Sequence, residues 1–100
     1  MKEITVMVFE PGKPGYLKKV PDTLQAYQEI VGGNIEEVGL FSDCLLFCNE
    51  EGLLMDLPMN WMGIRGTFFA CNAEGEEFAS ITEEQSEILL RLFQQPCLVK

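Results

Sequence analysis

Ile4-Thr5-Val6-Met7-Val8-Phe9-Glu10-Pro11-Gly12-Lys13-Pro14-Gly15-Tyr16-Leu17-Lys18-Lys19-Val20 reads as a β-hairpin, and the rest of the fold is read outward from it. Ile4 to Phe9 is rich in β-branched and apolar residues, two Pro-Gly pairs supply the turn, and Tyr16 to Val20 resumes an extended pattern. Pro21-Asp22-Thr23 then opens a helix, with Asp22 placed to cap it and Gln25 three residues later. Leu24, Tyr27, Ile30 and Val31 recur at helical spacing and define its apolar face. Gly32-Gly33 stops it in the manner of a left-handed cap, with Gly33 expected at positive φ.

Downstream, Ile35 to Leu40 reads as a short strand, and Cys44 to Cys48 is a solid apolar run of central-strand type. The short link Phe41-Ser42-Asp43 fits an antiparallel pair. Asn49-Glu50-Glu51-Gly52 reads as a turn with Gly52 at positive φ, after which Leu53 to Met55 returns and Leu57-Pro58-Met59-Asn60 breaks regular structure. Gly66 to Cys71 is a strand, and Phe78-Ala79-Ser80 can extend the ribbon beyond the polar turn Asn72 to Glu76. Thr82 caps a second helix through Gln85, Ile88, Leu89, Leu92 and Phe93 form its apolar stripe, and Pro96 ends it. The order is β-β-α-β-β-β-β-α. Strands joined by hairpins, with the helices on one face, make this an α+β domain with a mostly antiparallel sheet over residues 1–100, and a β-grasp-like arrangement fits the order.

Charge is the most one-sided property of the chain. Between Lys19 and Arg91 there are fourteen carboxylates and a single cation, Arg65, and the net charge is -9. Such a surface repels phosphate and attracts basic partners. Lys13, Lys18 and Lys19 are the only clustered cations and no series of stacking aromatics accompanies them, so direct nucleic-acid binding is not expected. No apolar run reaches the roughly 20 residues that cross a bilayer, and Met1-Lys2-Glu3 leads straight into a strand, so a cytoplasmic protein without a secretory leader is expected.

Cys44, Cys48, Cys71 and Cys97 lie in or beside apolar runs and are expected as reduced, buried thiols. Their spacing does not form the tight pairs of a metal site, and histidine is absent, so neither metal nor cofactor is expected. Without histidine, and with no serine or cysteine beside an obvious base, no catalytic set is legible. Glu50-Glu51 forms a carboxylate pair, but with sixteen acids in the chain such adjacency arises by chance.

Four motifs in order carry a resemblance. They are Leu24-Gln25 through Ile30-Val31-Gly32-Gly33-Asn34-Ile35-Glu36, then Cys48-Asn49-Glu50-Glu51-Gly52, then Leu57-Pro58-Met59-Asn60, then Gly66-Thr67-Phe68-Phe69. Across about residues 3 to 93 the chain resembles the domain of unknown function 3846 family, carried by bacterial phages, plasmids and conjugative elements. The resemblance brings no activity with it. It implies a mobile-element setting, in which small acidic proteins often antagonise host defence, and that last step is analogy.

Two functions of different class are compatible with these residues. In the first, a non-catalytic module covers a basic surface of a host protein with Glu74, Glu76, Glu77, Glu83, Glu84 and Glu87, crowded around the start of the second helix. The plainer account of each is a solvated face with a helix-dipole benefit at Glu83 and Glu84. In the second, a pocket near Asn49, Asn60, Trp61 and Arg65 binds a small ligand, with Arg65 the cation for an anionic group. Trp61 follows a Leu-Pro break and fits core packing and surface contact equally well. The oligomeric state is not legible.

Overall fold

Val6, Met7, Val8 and Phe9 are four consecutive buried residues, and a strand buried on both sides needs a covering layer on each. The computed structural model, which describes residues 2–41 and 44–93, supplies both layers. Six strands, β1 (Glu3–Phe9), β2 (Tyr16–Pro21), β3 (Ile35–Phe41), β4 (Cys44–Asn49), β5 (Phe68–Glu74) and β6 (Glu77–Ala79), form one sheet. Its order is β2-β1-β5-β4-β3, with β6 paired to β5, and every pair is antiparallel. The helices α1 (Leu24–Val31) and α2 (Glu83–Leu92) complete the α+β order β-β-α-β-β-β-β-α.

Period-two alternation along the central strands sorts their side chains between two cores. On one face Ile4, Val6 and Val8 of β1 join Phe69 and Cys71 of β5 against Tyr27 and Val31 of α1. On the other, Met7 and Phe9 join Phe68, Ala70 and Leu46 against Leu89 of α2 and Phe93. The expectation that both helices share one face is therefore corrected. Apolar runs in β1, β4 and β5 bury residues of both parities, and only a helix on each side removes both sets from water. Aromatic stacking organises both cores, with Phe9 and Phe68 ring centroids 4.9 Å apart and Phe47 and Phe69 5.5 Å apart.

Local details depart from the pattern for identifiable reasons. Thr23, not Asp22, caps α1, its hydroxyl accepting from the Ala26 amide at 3.1 Å, while Asp22 accepts instead from the Tyr27 hydroxyl. Thr82 and Gln85 form the expected capping box on α2. The expected stripe on that helix is only half right: Leu89 and Phe93 are buried, but Ile88 and Leu92 are exposed and Ser86 takes an inward position, its hydroxyl donating to Glu83 O. Leu53 to Met55 makes no return strand. The chain coils there, with Leu57 N–H donating to Gly52 O at 3.0 Å, and leaves Leu54 85% exposed. Ser42, Asp43, Pro96 and Cys97 lie outside the described residues.

The two glycines after α1 are constrained in different ways. Gly32, not Gly33, carries the left-handed conformation, at φ 81°. A side chain at Gly33 would instead meet Asn49, since a β-carbon there lies 2.9 Å from the Asn49 Nδ2. Gly33→Val should thus cost about 2 kcal/mol or more, through steric conflict and loss of Asn49 hydrogen bonds. Gly32→Ala, which meets nothing within 4 Å, should cost about 1 kcal/mol from φ alone. Urea unfolding of the two variants checks the order, and a larger loss for Gly32→Ala would show that φ is the governing constraint.

Candidate functional site

The acids expected to meet a partner fall at one end of the sheet. Glu74 ends β5, Glu76 lies on the turn and Glu77 begins β6, while Glu83, Glu84 and Glu87 lie on the first turns of α2. All six are exposed. Reciprocal amide hydrogen bonds tie Asn72 of β5 to Gln85 of α2 at 2.6 and 2.8 Å, fixing the helix start against the strand that leads into the turn. Of the six, Glu77 alone is in an ion pair among the described residues, with Lys2 at 3.4 Å. The two groups divide between layers: Glu76 and Glu77 border the α1 side, while α2 carries its three acids on the opposite face.

On the α1 side these carboxylates meet a cleft. Leu24, Tyr27, Ile35 and Phe78 line it with apolar surface, and Asp22, Glu76 and Glu77 ring it with carboxylates. Its volume is about 280 Å³. The Tyr27 hydroxyl donates to Asp22, which is itself 3.8 Å from the Lys2 ammonium. Burial first, and then the bond to Asp22, raises the Tyr27 pKa. At the far end of the hairpin, donation to Glu10 at 2.6 Å, with burial second, pushes Tyr16 up to about 12.

Both phenols thus hold their protons more tightly folded than unfolded. Their contribution to stability is complete below the unfolded value of about 10 and is lost as pH rises through the folded values. Tyrosinate absorbance should be nearly absent from the folded protein at about pH 11, yet appear around pH 10 in denaturant. Titration of both tyrosines near 10 in the folded protein would contradict these hydrogen bonds.

The alternative constellation is occupied by the chain's own structure. Asn60 is fully buried, its Nδ2 donating to Phe9 O at 3.0 Å and Gly66 O at 2.8 Å while its Oδ1 accepts from the Trp61 amide. Asn49 donates to Val31 O at 3.2 Å and accepts from the Glu51 amide at 2.7 Å, joining the end of α1 to the turn. Neither amide is left facing a ligand. Trp61 is half-buried against Phe93, with ring centroids 5.1 Å apart, so core packing is its observed role. Arg65 reaches Leu57 O at 3.4 Å and sits 3.8 Å from Asp56. Gly52 does not take positive φ; a β-carbon there would lie 2.7 Å from Arg65 O, and the positive-φ residues of this loop are Asp56, Met62, Gly63 and Gly66.

Comparison with known families decides the affiliation. A model described as a domain of unknown function (DUF3846) matches residues 2–94. The chain belongs to this family. Comparison with curated proteins and with solved structures found no match. In this family member the match spans both cores and the acidic end alike.

The cleft beside Glu76 and Glu77 was not legible in the sequence, because its walls come from residues 22–35 and 76–78, which adjoin only once the sheet is formed. Phe78 was the available signal: an aromatic directly after three acids in four residues. Cys44, Cys48 and Cys71 are buried, and burial pushes the Cys71 thiol up to about 12, far from a reactive thiolate. Among the described residues no cluster suits a metal ion, and no helix is long and apolar enough to cross a membrane.

Proposed function

We propose that this protein is a non-catalytic accessory protein of a bacterial mobile element that acts in the cytoplasm, binding and occluding a basic surface of a host protein and so antagonising host defence. One observation carries the reading. Glu74, Glu76, Glu83, Glu84 and Glu87 are exposed and make no ion pair among the described residues, so their charge is directed outward rather than neutralised within the fold. With a net charge of -9 behind them, these carboxylates stand where the phosphates of a nucleic acid would lie on a cationic groove.

The mobile-element setting comes from the family resemblance, and the non-catalytic reading from a chain without histidine whose three described thiols are buried. The test is capture of host proteins by the immobilised domain at low and at high salt, beside its Glu83→Lys/Glu84→Lys/Glu87→Lys variant. Capture that high salt weakens and the variant loses supports occlusion. Capture indifferent to both would refute it.

A further inference from the structure

We infer that the cleft between the N-terminal turn of α1 and the β5–β6 hairpin receives an arginine side chain projected by the basic partner, an inference that rests on the occlusion reading and assigns its anchoring point. At about 280 Å³ the cleft lies just under the roughly 300–1,000 Å³ of small-molecule pockets. It has room for one long side chain. Leu24, Ile35 and the half-buried Phe78 ring offer apolar surface, and Leu24 is 59% exposed beside α1. Glu76, Glu77 and Asp22 set negative charge around that surface, so the occupant needs an apolar stem and a cationic end.

Arginine meets both needs better than lysine. Its planar guanidinium stacks on an aromatic face while donating several hydrogen bonds to carboxylates, and it is less strongly hydrated than an ammonium. The chain's own Lys2 already marks the rim as cation-binding, its ammonium 3.4 Å from Glu77 and 3.8 Å from Asp22. Lys2 is itself exposed and both of its pairs are long, so an incoming guanidinium displaces it at little cost. Glu76, which makes no ion pair among the described residues, is open to the incoming group. Anionic ligands meet three carboxylates and are repelled.

The test is a titration of isotope-labelled protein with Nα-acetyl-arginine methylamide, and separately with the lysine analogue, followed by amide chemical shifts. Saturable shifts centred on Leu24, Ile35 and Phe78, tighter for arginine than lysine, are expected. Glu76→Gln/Glu77→Gln should weaken the arginine probe roughly tenfold or more while circular dichroism stays unchanged, since both residues are exposed. Shifts spread evenly over the acidic surface, equal binding of the lysine analogue, or full binding by the double variant would overturn the assignment. The two readings fail separately. An empty cleft with salt-sensitive capture still abolished by the Glu83, Glu84 and Glu87 reversals would remove the arginine site and leave occlusion standing. A filled cleft with capture indifferent to those reversals would do the opposite.

Discussion

Asn60→Leu should lower the unfolding free energy by about 3–5 kcal/mol, because it removes at once the buried side-chain partner of two main-chain carbonyls and an amide. The carbonyls of Phe9 and Gly66 accept from Nδ2, and the Trp61 amide donates to Oδ1 at 2.8 Å, so one residue joins the end of β1 to the approach to β5 and to the Trp61–Gly63 turn. For a domain of this size the loss corresponds to a fall in Tm of at least about 12 °C. Leucine keeps the branched, four-heavy-atom outline of asparagine but provides no polar atom. Asn60→Asp keeps the acceptor for Trp61 but turns a carboxylate toward two carbonyls, and should therefore rescue nothing. Thermal melts of the two variants decide the matter. An unchanged Tm for Asn60→Leu would mean that the loop is held by its apolar contacts alone, and would return Asn60 to the residues available for a ligand.

The contrast between Asn60 and Thr82 shows what the sequence can disclose. Thr82 and Gln85 interact across three residues, so the capping box is written locally and the second helix was legible from it. Asn60 acts on Phe9, fifty-one residues away, and no local pattern distinguishes an amide that will be buried from one that will bind a ligand. The same distinction separates Gly32 from Gly33. Adjacent glycines announce a helix end, but which of them is left-handed and which avoids Asn49 depends on where β4 ends. Burial on both faces was legible in principle, since Val6 to Phe9 and Phe68 to Cys71 show no polar alternation at all. Counting that continuity as a requirement for two covering layers, rather than as strand propensity alone, places α1 and α2 on opposite faces.

Reversing Glu83, Glu84 and Glu87 to lysine should slow association with a basic partner by on the order of tenfold or more at low salt, with a smaller change in dissociation. Each reversal changes the charge by two units, so the three together take the net charge from -9 to -3. The fold should tolerate this. All three side chains are exposed, the Thr82–Gln85 capping box is untouched, and only Glu83 and Glu84 lie in the first turn, where losing an acid costs about 0.3–1 kcal/mol each. Salt separates field from contact: screening over about 8 Å at physiological strength should bring variant and parent association rates together, whereas a lost packing contact would persist at every ionic strength. Arg65→Ala supplies the opposing arm. Its guanidinium lies near Asp56 and Leu57, not beside the six acids, so the occlusion reading expects full capture from this variant. Retention of capture by the triple reversal together with its loss in Arg65→Ala would overturn that reading, and would place the functional surface on the loop between β4 and β5 instead.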